Sequence, residues 1–207
     1  RFYTKFLRDL GLLNIDEPAL KLFNQGMLHK DGVVMSKSKG NVVLPEEVSE
    51  KYGIDSARLF LVSLASPDKD IEWNEQGIQG SLRFINKVIE YFEKNKTKFK
   101  NGKSSNRTES KLNRAIKEIT EDIENFRYNL AIIKLREFFE AIEKEKISKK
   151  DAESFLKLLS VFCPHIAEEL WQKLGNKNFI SLADWPKVDE KKINKKSSNC
   201  TLYDKTD

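Results

Sequence analysis

The sequence predicts a mainly α-helical protein, in which a small β-hairpin precedes an antiparallel helix bundle. Three observations support this fold class. Apolar residues recur at helical spacing through most of the chain after residue 75. The stretches between these apolar stripes are polar and mostly short, which is typical of helices that fold back on their neighbours. Nearer the start, the turn Lys30-Asp31-Gly32 separates two apolar runs, and this pattern is typical of a hairpin.

The first 24 residues predict a helix followed by a connector. Apolar residues at near-helical spacing precede Gly11, which acts as a helix stop. The acids before Pro18 predict a short second helix that runs through Phe23, because proline is favoured in the first helical turn. The two hairpin strands are expected within residues 26–29 and 33–35.

Two further helices are predicted after the hairpin. Pro45 and the two glutamates after it predict a helix that ends near Gly53, since acids are favoured at the positive end of the helix dipole. Asp55 is predicted to cap the next helix, which runs to about Ala65. That helix is apolar nearly all round, so we expect it to be buried.

Four amphipathic helices are predicted from residue 75 onward. Their apolar stripes occupy residues 78–92, 112–126, 131–142 and 155–174. Ser148 and Asp151 have the spacing of a capping box at the start of the fourth helix. The link 94–107 is rich in lysine, serine and asparagine, so it is predicted to be mobile. The tail after Pro186 is lysine-rich and has no periodicity.

The 207 residues carry a net charge of +5, which is distributed unevenly. Residues 1–80 contain 10 Lys and Arg against 12 Asp and Glu, so the remaining residues contain 27 against 20. A basic C-terminal part fits an acidic partner such as RNA. On charge alone, however, a solvated lysine-rich surface is the more common explanation.

The composition disfavours several classes of protein. Cys163 and Cys200 form neither a CxxC motif nor a disulfide framework, which is typical of the reducing cytoplasm. His29 and His165 are isolated, so no metal site is predicted. No apolar run approaches the length of a membrane span and the start does not resemble a secretory signal. We therefore expect a cytoplasmic protein without a membrane partner.

The most informative stretch is Met35-Ser36-Lys37-Ser38-Lys39, followed by Gly40-Asn41. Serine hydroxyls and lysine ammonium groups can donate hydrogen bonds to phosphate oxygens, and glycine frees the backbone to move. The stretch does not have the GxxxxGK[ST] pattern of a Walker A loop. Similar sequences occur in linkers, but the hairpin before it and the proline-started helix after it favour a phosphate-binding loop.

Residues 35–41 resemble the KMSKS signature of class I aminoacyl-tRNA synthetases, and we call them the signature loop. The flanking residues are similar to the leucyl family, as are segments 1–7, 24–27, 52–60, 66–73 and 163–171. The resemblance covers residues 1–188. It implies the end of a Rossmann-type class I catalytic domain at 1–74, a helical tRNA-binding bundle of the anticodon-binding-domain type at 75–186, and a tail at 187–207.

The resemblance also implies a role for each loop residue. Lys37 corresponds to the second lysine of the signature, which contacts the leaving phosphates of ATP, so it is the expected catalytic residue. Ser36 and Ser38 are expected to bond phosphate or to cap the turn. Met35 is expected to anchor the loop, and Lys39 to add positive charge.

One position departs from the family pattern: Val34 stands where the signature usually has its first lysine. The implied activity is the ATP-dependent activation of leucine and its transfer to tRNA(Leu). ATP would bring Mg²⁺ as its counter-ion, and no metal would be bound by this chain itself. Because the leucine carboxylate attacks the α-phosphate and pyrophosphate leaves, positioning and charge neutralisation dominate the chemistry.

The expected tRNA-binding residues are Lys87, Arg127, Lys134 and Arg136, although each of them also fits a solvated surface. No HIGH-type motif occurs. The resemblance implies that this motif and the leucine pocket belong to an N-terminal catalytic half that the chain lacks, so it is expected to be inactive alone. Two alternatives stay open: a non-catalytic tRNA-binding module or subunit of a split synthetase, and part of a valyl or isoleucyl enzyme.

Overall fold

The computed structural model describes residues 1–99 and 102–193. Within these residues it confirms the mainly helical fold and the small hairpin. The elements are α1 Phe2–Asp9, β1 Leu28–Lys30, β2 Val33–Val34, α2 Pro45–Tyr52, α3 Ile54–Leu64, β3 Ile71–Glu72, α4 Glu75–Phe99, α5 Asn106–Glu124, α6 Tyr128–Glu143, α7 Lys149–Ser160 and α8 Pro164–Lys173. None of the helices in these two ranges combines the length and the apolar character that crossing a membrane requires.

The hairpin belongs to a three-stranded sheet with the order β2-β1-β3. β1 is antiparallel to β2, with His29 opposite Val34, and parallel to β3. Asp31 and Gly32 both have positive φ angles, 56° and 73°, as a type I′ turn requires. β3 was not predicted, because two residues are too short a strand to show a period of two.

The short helix predicted from Pro18 through Phe23 is wrong, since residues 18–23 form no helix. Leu20 and Leu22 are exposed, so this stretch lacks the buried face that stabilises most helices in proteins. Instead, Phe23 stacks on Phe126 at the end of α5, with their ring centroids 4.6 Å apart. Contacts with the Phe126 ring, from Phe23 and from the Lys21 ammonium 5.8 Å from its centroid, therefore replace the expected helix.

The two helices predicted after the hairpin are confirmed as α2 and α3. Gly53, with a φ angle of 78°, separates them, and Leu59 and Phe60 of α3 are buried. The capping role predicted for Asp55 is wrong, because α3 has no side-chain cap. The Asp55 carboxylate instead contacts the start of α8. A sequence pattern cannot reveal a partner that lies 111 residues away.

Helices α4 to α8 pack around an aromatic core that includes Phe92, Phe139 and Phe155. The fourth predicted helix is in fact two, α7 and α8, because Pro164 lies in the first turn of a new helix. Ser148 is confirmed as the N-cap of α7, but the return bond of a capping box is not formed, because the Ser148 N–H donates to Ser104 Oγ. The Ser148 hydroxyl oxygen accepts a hydrogen bond from the Asp151 backbone N–H at 3.2 Å.

The mobile link predicted at 94–107 is wrong for most of its length. Helix α4 continues to Phe99, whose side chain is only 2% exposed and packs against Tyr91 and Phe92. Helix α5 then begins at Asn106, where the Ser105 hydroxyl accepts the Thr108 N–H. The prediction failed because the burial of Phe99 stabilises the last turns of α4, although the residues around it are mostly exposed and lysine-rich. Residues 100–101, and the tail from 194 onward, lie outside the described residues.

Helix α3 joins two apolar cores. A small core contains Val48, Tyr52, Ala57, Phe60 and Ile78, contributed by α2, α3 and the start of α4. Leu59, the neighbour of Phe60 on α3, belongs to the large core of the bundle instead. Residues 1–74, which we call the loop-bearing segment, are therefore packed onto the bundle mainly through α3, and Phe23 on Phe126 adds a second contact.

Candidate functional site

The signature loop is a compact turn that follows β2 directly. The Met35 N–H donates to the carbonyl oxygen of Leu28 in β1 at 2.9 Å, so the loop starts from the edge of the sheet. Residues Lys37–Lys39 then form one turn of 3-10 helix. Gly40 ends that turn with a φ angle of 67°, and its N–H donates to the Lys37 carbonyl oxygen. This left-handed conformation explains why glycine stands at position 40.

Asn41 closes the signature loop, a role that the sequence analysis missed. Its Oδ1 accepts a hydrogen bond from the Ser36 N–H at 3.0 Å, and its Nδ2 donates to the carbonyl oxygens of Val33 and Val34 at 3.3 Å. One amide side chain thus ties the end of the loop to its beginning. An asparagine directly after a turn glycine was the available signal, because its short amide readily bonds nearby backbone.

The side chains of the loop divide into an inner and an outer set. Met35 and Ser36 are half-buried, whereas Lys37, Ser38 and Lys39 are exposed. The hydroxyl oxygens of Ser36 and Ser38 lie 3.2 Å apart. Among residues 1–99 and 102–193, no side chain pairs with the ammonium group of Lys37 or Lys39. The loop therefore presents two uncompensated cations and two hydroxyls to one small region, which suits a phosphate ligand.

The turn that precedes β3 supports the base of the hairpin. The Asp70 carboxylate accepts the Met27 N–H at 2.7 Å and lies 3.3 Å from His29 Nε2. The hydrogen bond from Met27, and to a smaller degree His29, lower the pKa of Asp70. Gly26 is required here, because a Cβ atom at that position would overlap the carbonyl oxygen of Lys69. His29 thus belongs to the support of the loop.

Two of the four predicted tRNA-binding residues share one buried partner. The Asp122 carboxylate is 1% exposed and lies 2.9 Å from Arg127 Nε and 2.6 Å from Lys134 Nζ. Both cations therefore neutralise a charge inside the bundle, and only part of their positive charge is available to an external phosphate. This pairing could not be predicted from the sequence, because Asp122 lies within an ordinary helical pattern.

The other two predicted residues lie in different environments. Lys87 is exposed on α4, where it lines an open crevice of about 380 Å³ together with Lys94 and Lys98 and with two carboxylates, those of Glu90 and Glu143. Arg136 stacks over the ring of Phe84 at 5.2 Å, and burial lowers its pKa. Among the described residues Lys87 is accordingly the one of the four that is exposed and pairs with no carboxylate or ring.

Two protein families match the chain. The family of class I tRNA synthetases for isoleucine, leucine, methionine and valine matches residues 10–74, which include the signature loop. The anticodon-binding domain of tRNA ligases matches residues 105–205, which include helices α5 to α8. The first match covers the hairpin, α2 and α3, and the second covers most of the bundle.

Curated relatives agree with these matches. The leucine–tRNA ligase of Petrotoga mobilis is 41% identical over 98% of this chain and 27% of its own length. Those of Fervidobacterium nodosum and Thermotoga maritima are 43% and 42% identical over 91% and 93% of the chain. The chain spans about a quarter of the length of the curated relatives it matches.

A solved structure shows the same arrangement of elements. It is the ternary complex of Agrobacterium radiobacter K84 LeuRS with tRNA and LeuAMS, with a TM-score of 0.82 and 29% sequence identity. The similarity covers 93% of this chain and 28% of that one. The shared region therefore includes both the loop-bearing segment and the bundle.

Proposed function

Because the chain belongs to the leucine–tRNA ligase family of class I tRNA synthetases, we propose that it contributes two parts of leucyl-tRNA synthesis. The signature loop binds the phosphates of ATP during leucine activation, and the bundle binds tRNA(Leu). The observation that carries this proposal is the similarity to leucine–tRNA ligases across nearly the whole chain, from the loop to the end of the bundle. The same similarity favours leucine over valine or isoleucine as the amino acid.

In this proposal Lys37 is the catalytic residue of the loop. Its ammonium group is exposed on a 3-10 turn that Asn41 holds in place. Negative charge accumulates on the β- and γ-phosphates as pyrophosphate leaves, and a cation positioned beforehand stabilises that charge most strongly. Lys39, two residues after Lys37, adds a second positive charge. This charge compensates in part for the first signature lysine, which is replaced here by Val34.

The remaining loop residues bind ATP through shape and hydrogen bonds. The hydroxyls of Ser36 and Ser38 are hydrogen-bonded to each other at 3.2 Å, so one of them can donate to the other while the second donates to a phosphate oxygen. Met35 is half-buried and holds the loop against the sheet. Mg²⁺ enters with ATP and neutralises part of the phosphate charge. Among the described residues no cluster of His, Cys, Asp or Glu is suited to holding a metal ion of its own.

The bundle binds tRNA(Leu) mainly through the phosphate backbone. Lys87 contributes an unpaired exposed cation, and Arg127 and Lys134 contribute the charge that remains beyond Asp122. Arg136 contributes through its partly buried guanidinium. Contacts of this kind recognise the shape of folded RNA more than its base sequence. The family resemblance implies that leucine itself is bound by another part of the synthetase.

The test uses the full-length synthetase that contains this region. We expect pyrophosphate exchange that depends on leucine, and charging of leucine tRNA in the presence of ATP and Mg²⁺. Valine and isoleucine at the same concentration serve as controls and should support far slower exchange. Exchange that prefers valine or isoleucine would reassign the amino acid, and binding of tRNA without any exchange would indicate a non-catalytic module.

A further inference from the structure

Asp55 connects the loop-bearing segment to the bundle through two directed contacts. It lies in the first turn of α3, and its side chain is almost fully buried, with 4% exposure for the residue. Its Oδ2 accepts the backbone N–H of Ile166 at 2.8 Å, and its Oδ1 lies 2.8 Å from Nδ1 of His165. Both partners belong to the first turn of α8. A carboxylate on one helix therefore caps the positive end of another.

Arg58, three residues further along α3, contacts the other side of the same junction. Its Nε donates to the carbonyl oxygen of Phe162 at 3.4 Å, just after the end of α7. A cation thus faces the negative end of α7, and an anion faces the positive end of α8. Cys163 lies between them, fully buried, with its sulfur 3.9 Å from the Asp55 carbonyl oxygen. We call Asp55, Arg58 and the 162–166 turn the clasp.

The position of the clasp allows it to affect the orientation of the bundle relative to the signature loop, in addition to the stability of the fold. Helix α3 follows α2, which starts only four residues after Asn41 at the end of the signature loop. Helix α3 also packs against α4, α6 and α8 of the bundle. Apolar contacts alone tolerate small sliding movements, whereas two hydrogen bonds to a buried carboxylate fix direction as well as distance. The clasp accordingly sets the orientation of the bundle relative to the loop.

We propose that Asp55 is a positioning residue for the transfer step, which rests on the function proposed above. A tRNA held by the bundle must present its 3′ end where the adenylate is formed. Because a misplacement of about 1 Å can cost on the order of 10²-fold in rate, the orientation fixed by Asp55 controls transfer. The side-chain partners of Asp55 lie on α8 and not in the signature loop, so we expect the activation of leucine to be unchanged.

The test compares two reactions in the full-length synthetase. For Asp55→Ala we expect leucine-dependent pyrophosphate exchange to stay within about twofold of wild type, and kcat/KM for tRNA charging to fall by about tenfold or more. Asp55→Asn keeps an oxygen that accepts the Ile166 N–H, and it should restore most of the charging rate. Circular dichroism at the assay temperature gives the folded fraction by which both rates are normalised.

Asp151→Asn is the matched control. Asp151 is also a buried aspartate in the first helical turn, but its partners, Ser104 and Ser148, lie on the bundle side alone. We expect this variant to lose stability while the ratio of charging to exchange stays constant. If Asp55→Ala leaves that ratio unchanged, or lowers both reactions in proportion to the folded fraction, the positioning role is wrong. If wild-type enzyme shows neither reaction, the proposed function itself has failed.

Discussion

The loop-bearing segment and the bundle are stabilised in different ways. The bundle surrounds an aromatic core in which Phe155 contacts both Phe92 and Phe139. The loop-bearing segment has a small core of five buried residues and exposes Phe2, Leu20 and other large apolar side chains over its first 27 residues. The bundle therefore carries most of the folding free energy of this chain. The loop-bearing segment contacts the bundle chiefly through α3, and the stack of Phe23 on Phe126 is a further contact.

The largest effect that we expect is the loss of leucine activation when this chain is isolated from the rest of the synthetase. We expect the purified 207-residue chain not to catalyse leucine-dependent pyrophosphate exchange. The loop offers cations and hydroxyls to phosphates, whereas the curated relatives are about four times as long as the region they share with it. Exchange above background, with the full-length enzyme as the positive control, would contradict the division of roles proposed here.

A pair of core and surface substitutions measures the difference in stability directly. Phe155→Ala should lower the free energy of unfolding by about 3–5 kcal/mol, because the ring is buried among Phe92, Phe138 and Phe139. Phe2→Ala, at an exposed position of α1, should change it by about 0.5 kcal/mol or less. Urea unfolding of the 207-residue chain, followed by circular dichroism, gives both values. Equal losses would show that the two regions are equally packed.

The smallest effect concerns the surface of the bundle that we propose binds tRNA. Lys87→Ala should weaken binding of leucine tRNA and reduce the slope of log affinity against log salt concentration by about 0.7–0.9. Lys177→Ala, at another exposed position, is the control and should leave the slope unchanged. A titration across a salt series in the full-length enzyme provides the measurement. Identical slopes for wild type and Lys87→Ala would remove Lys87 from the interface.

The sequence predicted those elements whose signals are local. The start of α2 was predicted from Pro45, and the hairpin turn from Asp31 and Gly32. The start of α7 was predicted from Ser148 and Asp151. The errors in the predicted helix bounds have one cause: those bounds depend on contacts between residues that are far apart in the sequence. Phe99 extends α4 because it is buried in the core, and a sequence without aligned relatives does not show which phenylalanine is buried.

The same limit applies to the functional residues. The signature loop could be found because its residues are consecutive, and the structure presents them as one exposed turn. The partners of the loop and of the bundle cations could not be found in this way. The Asn41 side chain hydrogen-bonds to residues of β2 across the loop. The Asp122 carboxylate forms ion pairs with both Arg127 and Lys134. The Asp55 carboxylate hydrogen-bonds to the start of α8.

The central claim is that the signature loop stabilises the transition state of leucine activation through Lys37. In the full-length synthetase, the single-turnover rate of leucyl-adenylate formation should fall on the order of 10²–10³-fold in Lys37→Ala, because a preorganised cation is lost. Leucine affinity should be almost unchanged, since Lys37 lies on an exposed turn and is not expected to contact leucine. Lys177→Ala serves again as the control, with the wild-type rate. A wild-type rate of adenylate formation in Lys37→Ala would contradict the claim.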